Sequence, residues 1–306
     1  MSLSPSPLVS IIIPCYKAEK ELPQALESVI QQRYHQWELI VINDGWEDKT
    51  EAIIDEFKIK CPHNKITYLK HVHNQGLGAT RNTGIQKAQG NFIAFLDHDD
   101  VWEPNHLSHG LEILKKEQSD IYYSSVMVFD SLGKTNDWIW GPTEEDLINF
   151  PQSLYARNYI QPSAVIISKQ FLNTLGLMDT NSKVHFCEDH DFWIRAITLN
   201  GNFSTSNQVT VRYRYSNPNA ATAKIPLMLE HDISVQKKNL YSKAFKMPIK
   251  KAAIANNYRR LSDYYWKNKH LYSLYYLFLS LYWDPRDLRH WVQLLKGIVY
   301  WPLIRT

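Results

Sequence analysis

Cysteine is scarce in this chain. There are 3 in 306 residues, Cys15, Cys61 and Cys187, with no paired spacing. That excludes a disulfide scaffold and a thiolate zinc site, and fits a reducing, cytoplasmic setting. Long apolar runs are missing too. The longest near the C-terminus, Leu274 to Trp283, covers about half a bilayer, so no transmembrane helix is predicted. The opening Met-Ser-Leu-Ser-Pro-Ser-Pro has neither a basic nor an apolar segment and does not read as a secretory signal. Glycine is sparse, with 11 residues, and no Gly-rich phosphate loop follows the first apolar run. Pro14-Cys15-Tyr16-Lys17 stands there instead, and Gly76-Leu77-Gly78 comes later and lacks a third glycine. A Rossmann dinucleotide fingerprint and a P-loop are therefore excluded.

What is present alternates. Val9 to Pro14, Glu38 to Ile42, Ile66 to Leu69 and Asn91 to Leu96 read as strands. Glu21 to Gln32, Thr50 to Lys60 and Ala79 to Ala88 read as helices between them. Such alternation predicts an α/β fold with a mostly parallel sheet covered by helices on both faces. After Pro104 the pattern predicts a helix to about Glu117, a strand over 121–129 and a turn over 131–134. Residues 138–159 are expected to form a surface loop with aromatic contacts. A strand over 163–167, helices over 169–175 and 192–199, and a strand over 209–215 follow. From Ile225 everything reads as helical, with Pro226, Pro248 and Pro285 near helix starts. No internal repeat or low-complexity segment is evident.

The most telling stretch is Phe-Ile-Ala-Phe-Leu-Asp-His-Asp-Asp, 92–100. A buried strand ends abruptly in three carboxylates, Asp97, Asp99 and Asp100, where open α/β sheets bind ligands. Carboxylates this close repel unless a divalent cation or a set of donors neutralises them. A solvated, Asp-rich turn is the plain alternative. Polar clusters also follow the first two strands directly, Pro14-Cys15-Tyr16 and Asn43-Asp44-Gly45, and another lies at 74–82, where a parallel sheet would bring it to the same edge. A fifth, Cys187-Glu188-Asp189-His190-Asp191, leads into Phe-Trp-Ile-Arg. With no glycine cradle, the site implied is a nucleotide held by side chains and a metal.

Five segments together resemble the family-2 glycosyltransferases of the GT-A fold. They are 9–16 (Val-Ser-Ile-Ile-Ile-Pro-Cys-Tyr), 38–45 (Glu-Leu-Ile-Val-Ile-Asn-Asp-Gly), 76–85, 92–100 and 188–195 (Glu-Asp-His-Asp-Phe-Trp-Ile-Arg). The resemblance covers about residues 8–215. It implies a Rossmann-like nucleotide-binding half, about 8–103, and an acceptor half, about 104–224. Its site would place Pro14, Tyr16, Asp44, Arg81 and Asp97 at the nucleotide, with Asp44 on the base and Asp97 on the ribose. Asp99 would bind Mg²⁺ or Mn²⁺ on the diphosphate. Asp189 would be the catalytic base of an inverting transfer from a nucleotide sugar, most simply a UDP-sugar, to a saccharide or lipid-linked acceptor in polysaccharide, glycolipid or cell-envelope assembly. Glu188, Asp100, Asp191 and Arg195 would stand behind these residues or toward the acceptor.

Alternatives remain open at several positions. Glu188 could be the base with Asp189 orienting it, and Asp191 reads as a helix N-cap or a partner rather than a base. His71-X-His73 could bind a metal, though two loop histidines without a third ligand are more often solvated. Cys187 reads as a buried neighbour. Asn43 stands where many relatives have an acid, and Trp46 where the usual residue is small. A catalytically inactive nucleotide-sugar-binding protein and a peripheral scaffold are the rival functions. A sugar nucleotidyltransferase should show a basic, Gly-rich loop after strand one, which is missing.

The region 225–306 is expected to be a helical, basic, aromatic-rich appendage beyond a catalytic domain of residues 1–224. Residues 241–306 hold 12 Lys+Arg against 3 Asp+Glu, so the first 240 residues carry −6 of the net +3. Such a tail can lie peripherally on an anionic membrane or dock on the main domain; nucleic acid is the least favoured partner.

Overall fold

Strand β1 (Val9–Cys15) is buried at every position, and so is β2 (Trp37–Asn43), its parallel neighbour. Runs of this kind have no polar face to offer water, so both faces must be covered. The computed structural model describes residues 6–130, 135–215, 224–268, 270–289, 291–292 and 294–295. Helix α1 (Leu22–Ile30) and α2 (Thr50–Lys60) cover one face, packing Leu22, Leu26, Val29, Ile54 and Phe57 against Ile11, Ile13, Leu39 and Val41. After β3 (Ile66–Lys70), α3 (Leu77–Lys87) covers the other face. Gly84 allows its close approach, because a Cβ there would meet Ile12 Cγ2 at 2.4 Å.

The chain continues through β4 (Phe92–Phe95), β5 (Val101–Trp102), α4 (His106–Glu117), β6 (Ile121–Ser124), β7 (Val126–Phe129) and β8 (Thr135–Trp140). Then come α5 (Glu144–Ile148), α6 (Gln152–Ala156), β9 (Val165–Ser168), α7 (Lys169–Leu175), α8 (Glu188–Thr198), β10 (Phe203–Ser206) and β11 (Val211–Arg214). Three longer helices follow: α9 (Ile225–Lys238), α10 (Met247–Lys267) and α11 (Tyr272–Trp283). The main sheet has the order β10-β6-β9-β4-β1-β2-β3. Only β9 runs antiparallel to its neighbours, so the expected mostly parallel sheet is present. A second sheet, β5-β11-β7-β8, was not anticipated.

Contacts divide the chain into two compact units. The first holds 1–143, 159–180 and 195–217, and contains both sheets; the second holds 144–158, 181–194 and 218–306. In the second unit α10 packs Ile254, Tyr258 and Leu261 against Leu229 and Ile233 of α9. Pro226 and Pro248 sit in the first turns of α9 and α10, as expected.

Three local expectations are corrected. The apolar run 121–129 is two strands, because β6 joins the main sheet and β7 the second one. Residues 138–159 are not a surface loop. They hold the end of β8 and two five-residue helices, and Leu154, Tyr155 and Tyr159 are fully buried. Helix α8 starts at Glu188, four residues early, so Asp191 lies inside its first turn and is not an N-cap. The turn expected over 131–134 lies outside the described residues.

Candidate active site

Parallel pairing of β4, β1 and β2 brings their carboxyl ends to one edge of the sheet. The polar clusters are cross-linked there. His98 Nδ1 donates to the Pro14 carbonyl at 3.2 Å, and the Asp44 N–H donates to the Cys15 carbonyl at 2.8 Å. Beyond β1 the Tyr16 ring meets Trp46 edge-on, with centroids 5.4 Å apart, and the Lys17 ammonium lies 4.3 Å from the Trp46 ring. Asn43 builds this loop: its side chain accepts from the Trp46 N–H at 2.9 Å and donates to the Trp46 carbonyl at 3.0 Å. An amide can do both; a carboxylate there could only accept. Gly45 has φ +73°, and a Cβ there would lie 2.4 Å from the His73 carbonyl carbon, so only glycine suits.

Asp44 is buried and heavily used. Its Oδ1 accepts from His71 Nδ1 at 2.8 Å and from the Gln75 N–H at 2.9 Å, while Oδ2 accepts from the Gly76 N–H at 2.9 Å. The carboxylate therefore organises the loop leading into α3, and Oδ2 keeps acceptor capacity for a ligand. His71 Nε2 meets Thr83 Oγ1 at 2.9 Å. With both ring nitrogens engaged, His71 is a structural link and not half of a metal pair with His73.

The turn 97–100 is held from three sides. Arg81 on α3 is only 1% exposed, and its guanidinium donates to Asp97 Oδ1 at 2.7 Å. Ser163, just before β9, accepts from the Asp97 N–H at 3.0 Å and donates to Asp100 Oδ2 at 2.6 Å. The Arg214 N–H donates to Asp100 Oδ1 at 2.9 Å, and its Nε donates to the Asp99 carbonyl at 2.9 Å. Arg214 also lies over the Phe129 ring and reaches Gln24 of α1. Burial, then the charges of Asp99 and Asp97, push the Asp100 carboxyl well above the usual carboxylate range. Burial and nearby acids likewise push the Cys15 thiol up. His106, stacked on Trp102, is pushed down to about 3 by burial and His109, so it packs as a neutral ring.

The second unit carries the acids of α8. Asp189 is half-buried; its Oδ2 accepts from Asn158 Nδ2 at 3.0 Å and its Oδ1 from the His190 N–H at 2.7 Å. Glu188 is buried. Asp191 is fully buried, paired with Lys238 at 2.9 Å and Asn239 at 3.1 Å. His190 bridges Asp232 of α9, 2.6 Å from Nδ1, and the Leu154 carbonyl, 2.7 Å from Nε2. Asp232 also accepts from Asn257 of α10 at 2.6 Å. Cys187 is buried and free, as expected. In the first unit Arg195 donates to the carbonyls of Leu175 and Leu177, closing the end of α7.

Ser163, Arg214, Asn158 and the His190–Asp232 pair were missed from the sequence. Each acts across 31 or more residues, and none shows a local signal. Among the described residues, no three His, Cys, Asp or Glu side chains form a self-sufficient metal cage. A Mg²⁺ or Mn²⁺ ion that shares a diphosphate and water needs only one or two carboxylates. The turn supplies hard oxygen donors, with the carboxylates of Asp97, Asp99 and Asp100 inside four residues, and a cation would relieve their mutual repulsion. The donor set fits.

Residues 10–190 match Glycosyl transferase family 2. An uncharacterized glycosyltransferase of Rickettsia prowazekii is 32% identical over 197 residues, 62% of this chain and 58% of that protein. The UDP-Glc:alpha-D-GlcNAc-diphosphoundecaprenol beta-1,3-glucosyltransferase of Escherichia coli is 35% identical over 124 residues, 40% of this chain and 47% of that protein. The chain thus spans less than two thirds of either relative. Among solved structures, a mannosyltransferase from Pyrobaculum calidifontis in complex with GDP-Man and Mn²⁺ has a TM-score of 0.59 at 14% identity, covering 98% of this chain and 88% of that one. That likeness is one of fold.

Proposed function

The chain belongs to glycosyl transferase family 2 and has the GT-A arrangement, and from that premise we propose that it transfers a sugar from a nucleoside diphosphate sugar to an acceptor hydroxyl with inversion at the anomeric carbon. The observation that carries the reading is the cross-linked edge of the main sheet, where Asp44 follows β2, Asp97 and Asp99 follow β4, and Arg81 reaches Asp97 from α3. In this reading Asp44 Oδ2 accepts from the base, and Pro14 and Tyr16 line the same end. Asp97 accepts from the ribose while Arg81 holds it in place. Buried behind the turn, Asp100 keeps it in shape through Ser163 and Arg214. Asp99 would hold the Mg²⁺ or Mn²⁺ ion, which when bound neutralises charge on the departing diphosphate.

Asp189 is assigned the base. It takes the proton of the acceptor hydroxyl as that oxygen attacks the anomeric carbon and the bond to the diphosphate breaks. Asn158 and the His190 N–H, donating to its two oxygens, fix its orientation. Glu188, Asp191 and Arg195 support the helix that bears it or face the acceptor. The E. coli relative's name supports a UDP-sugar donor and a lipid-linked acceptor. A screen of nucleotide sugars with Mn²⁺ and a mixed pool of saccharide and lipid-linked acceptors, reading nucleoside diphosphate release, tests this. Acceptor-dependent release from one UDP-sugar is expected; binding of donors without release from any would refute transfer.

A further inference from the structure

Helix α11, Tyr-Ser-Leu-Tyr-Tyr-Leu-Phe-Leu-Ser-Leu-Tyr-Trp, contains no charged residue. One face is spent inside the second unit. Leu277 and Leu281 pack with Leu274 and Leu294, and Tyr276, Leu279 and Trp283 pack on the α9–α10 core. The opposite face is equally apolar and exposed. Leu271, Tyr275, Phe278 and Tyr282, spaced four, three and four apart, form one stripe with exposures of 53, 57, 59 and 79%. A second stripe follows in residues 288–295: Leu288 at 75%, Trp291 at 45%, Val292 at 50% and Leu295 at 62%. Helices of soluble chains normally carry charge on such a face, and one that is apolar all round belongs in a core or at a lipid boundary.

The length and the flanking charge decide what covers it. At 12 residues α11 is about 18 Å long, well short of the roughly 30 Å bilayer core, so it cannot span. From Tyr264 to the end the sequence holds six bases, Lys267, Lys269, Arg286, Arg289, Lys296 and Arg305, against two acids, Asp284 and Asp287. Two of the exposed stripe residues of α11 are tyrosines, with a tryptophan in the next stripe; these amphipathic rings favour the headgroup layer. Apolar rings flanked by excess positive charge complement an anionic lipid surface. We propose that the exposed stripe of α11, with Leu288, Trp291, Val292 and Leu295, is a docking face for an anionic membrane. This is independent of the chemistry assigned to the sheet edge.

The test is vesicle co-sedimentation of the full chain, alone and as the triple variant Tyr275→Gln/Phe278→Gln/Tyr282→Gln. Vesicles are phosphatidylcholine, with and without phosphatidylglycerol, in about 0.05 M and about 0.5 M NaCl. The chain should pellet with the anionic vesicles at low salt. It should bind far less to neutral ones, and the variant's partitioning should fall on the order of tenfold or more with an unchanged melting temperature. If the triple variant melts lower, Tyr282→Gln alone, at the most exposed position, replaces it and should still weaken partitioning severalfold. Three results overturn the proposal: the full chain ignoring anionic vesicles at low salt, a folded variant that binds as the parent does, or a parent dimer that the variant turns into a monomer without any vesicle binding. The last would make the face a contact between copies.

Discussion

Asp232→Asn should destabilise the chain by about 3–5 kcal/mol at neutral pH, the usual consequence of leaving a buried charge without its partner. The ring of His190 is 1% exposed, and both of its nitrogens face acceptors, the Asp232 carboxylate and the Leu154 carbonyl. Both must donate, so the ring is an imidazolium. Burial alone would lower its pKa. The charge and hydrogen bond of Asp232, the Leu154 carbonyl and the charge of Asp189 outweigh burial and raise it. Arg260 of α10 shares the field of Asp232, and Asn257 completes the carboxylate's contacts. A raised folded-state pKa means that the native chain holds a proton which the unfolded chain releases near pH 6.5. The stabilisation is complete below about pH 6.5 and is lost as pH rises through the folded value. Urea unfolding followed by circular dichroism between about pH 5.5 and 9.5 measures this. The parent should weaken toward high pH, and Asp232→Asn should lose that slope along with its stability. A double-mutant cycle with His190→Gln should show strong coupling. Parallel pH profiles for parent and Asp232→Asn, or additive single effects, would refute the imidazolium.

Asp99→Asn should abolish Mn²⁺-dependent UDP binding, because a neutral amide is a poor ligand for a hard cation; calorimetry showing unchanged affinity would remove Asp99 from the metal. Asp189→Asn should leave donor binding nearly intact and slow transfer about 10²–10⁴-fold. A normal rate there, with Glu188→Gln the damaging change, would exchange the two roles. Ser163→Ala strips one donor and one acceptor from the 97–100 turn, costing about 1–3 kcal/mol. Its donor KM should rise more than kcat falls, and a change in kcat alone would detach Ser163 from the nucleotide end.

Where the sequence was read correctly, local pattern and tertiary demand agreed. β1, β2 and β4 are short apolar runs ending in polar clusters, and parallel pairing leaves those clusters little choice but to share an edge. The failures have physical causes. Nothing in 121–129 marks Ser125 as the point where the chain leaves one sheet for another. Five-residue helices are too short to display a 3.6-residue period, so α5 and α6 looked like loop. Glu188 to Asp191 looked like a polar lead-in because the burial of Asp191 depends on Lys238 and Asn239, nearly 50 residues away. The exposed stripe of α11 was invisible for the opposite reason: a helix apolar on every side gives no clue to which side is covered.

The Asp97–Asp100 turn also bears on the order in which the chain acquires its structure. Asp100 waits 63 residues for Ser163 and 114 for the Arg214 N–H. During synthesis the β1–β4 core is complete in sequence well before either partner has left the ribosome, since chains grow from the N-terminus at about 5–20 residues per second. For several seconds the nascent chain therefore presents a turn in which Arg81 can already hold Asp97 while Asp100 still lacks both of its later partners. Loop-closure entropy makes the Arg214 contact a late one even in refolding from denaturant. Ligand affinity should accordingly lag behind the recovery of helical signal, and a chain ending after β9 would keep the Arg81 and Ser163 braces of the turn and lack the Arg214 one.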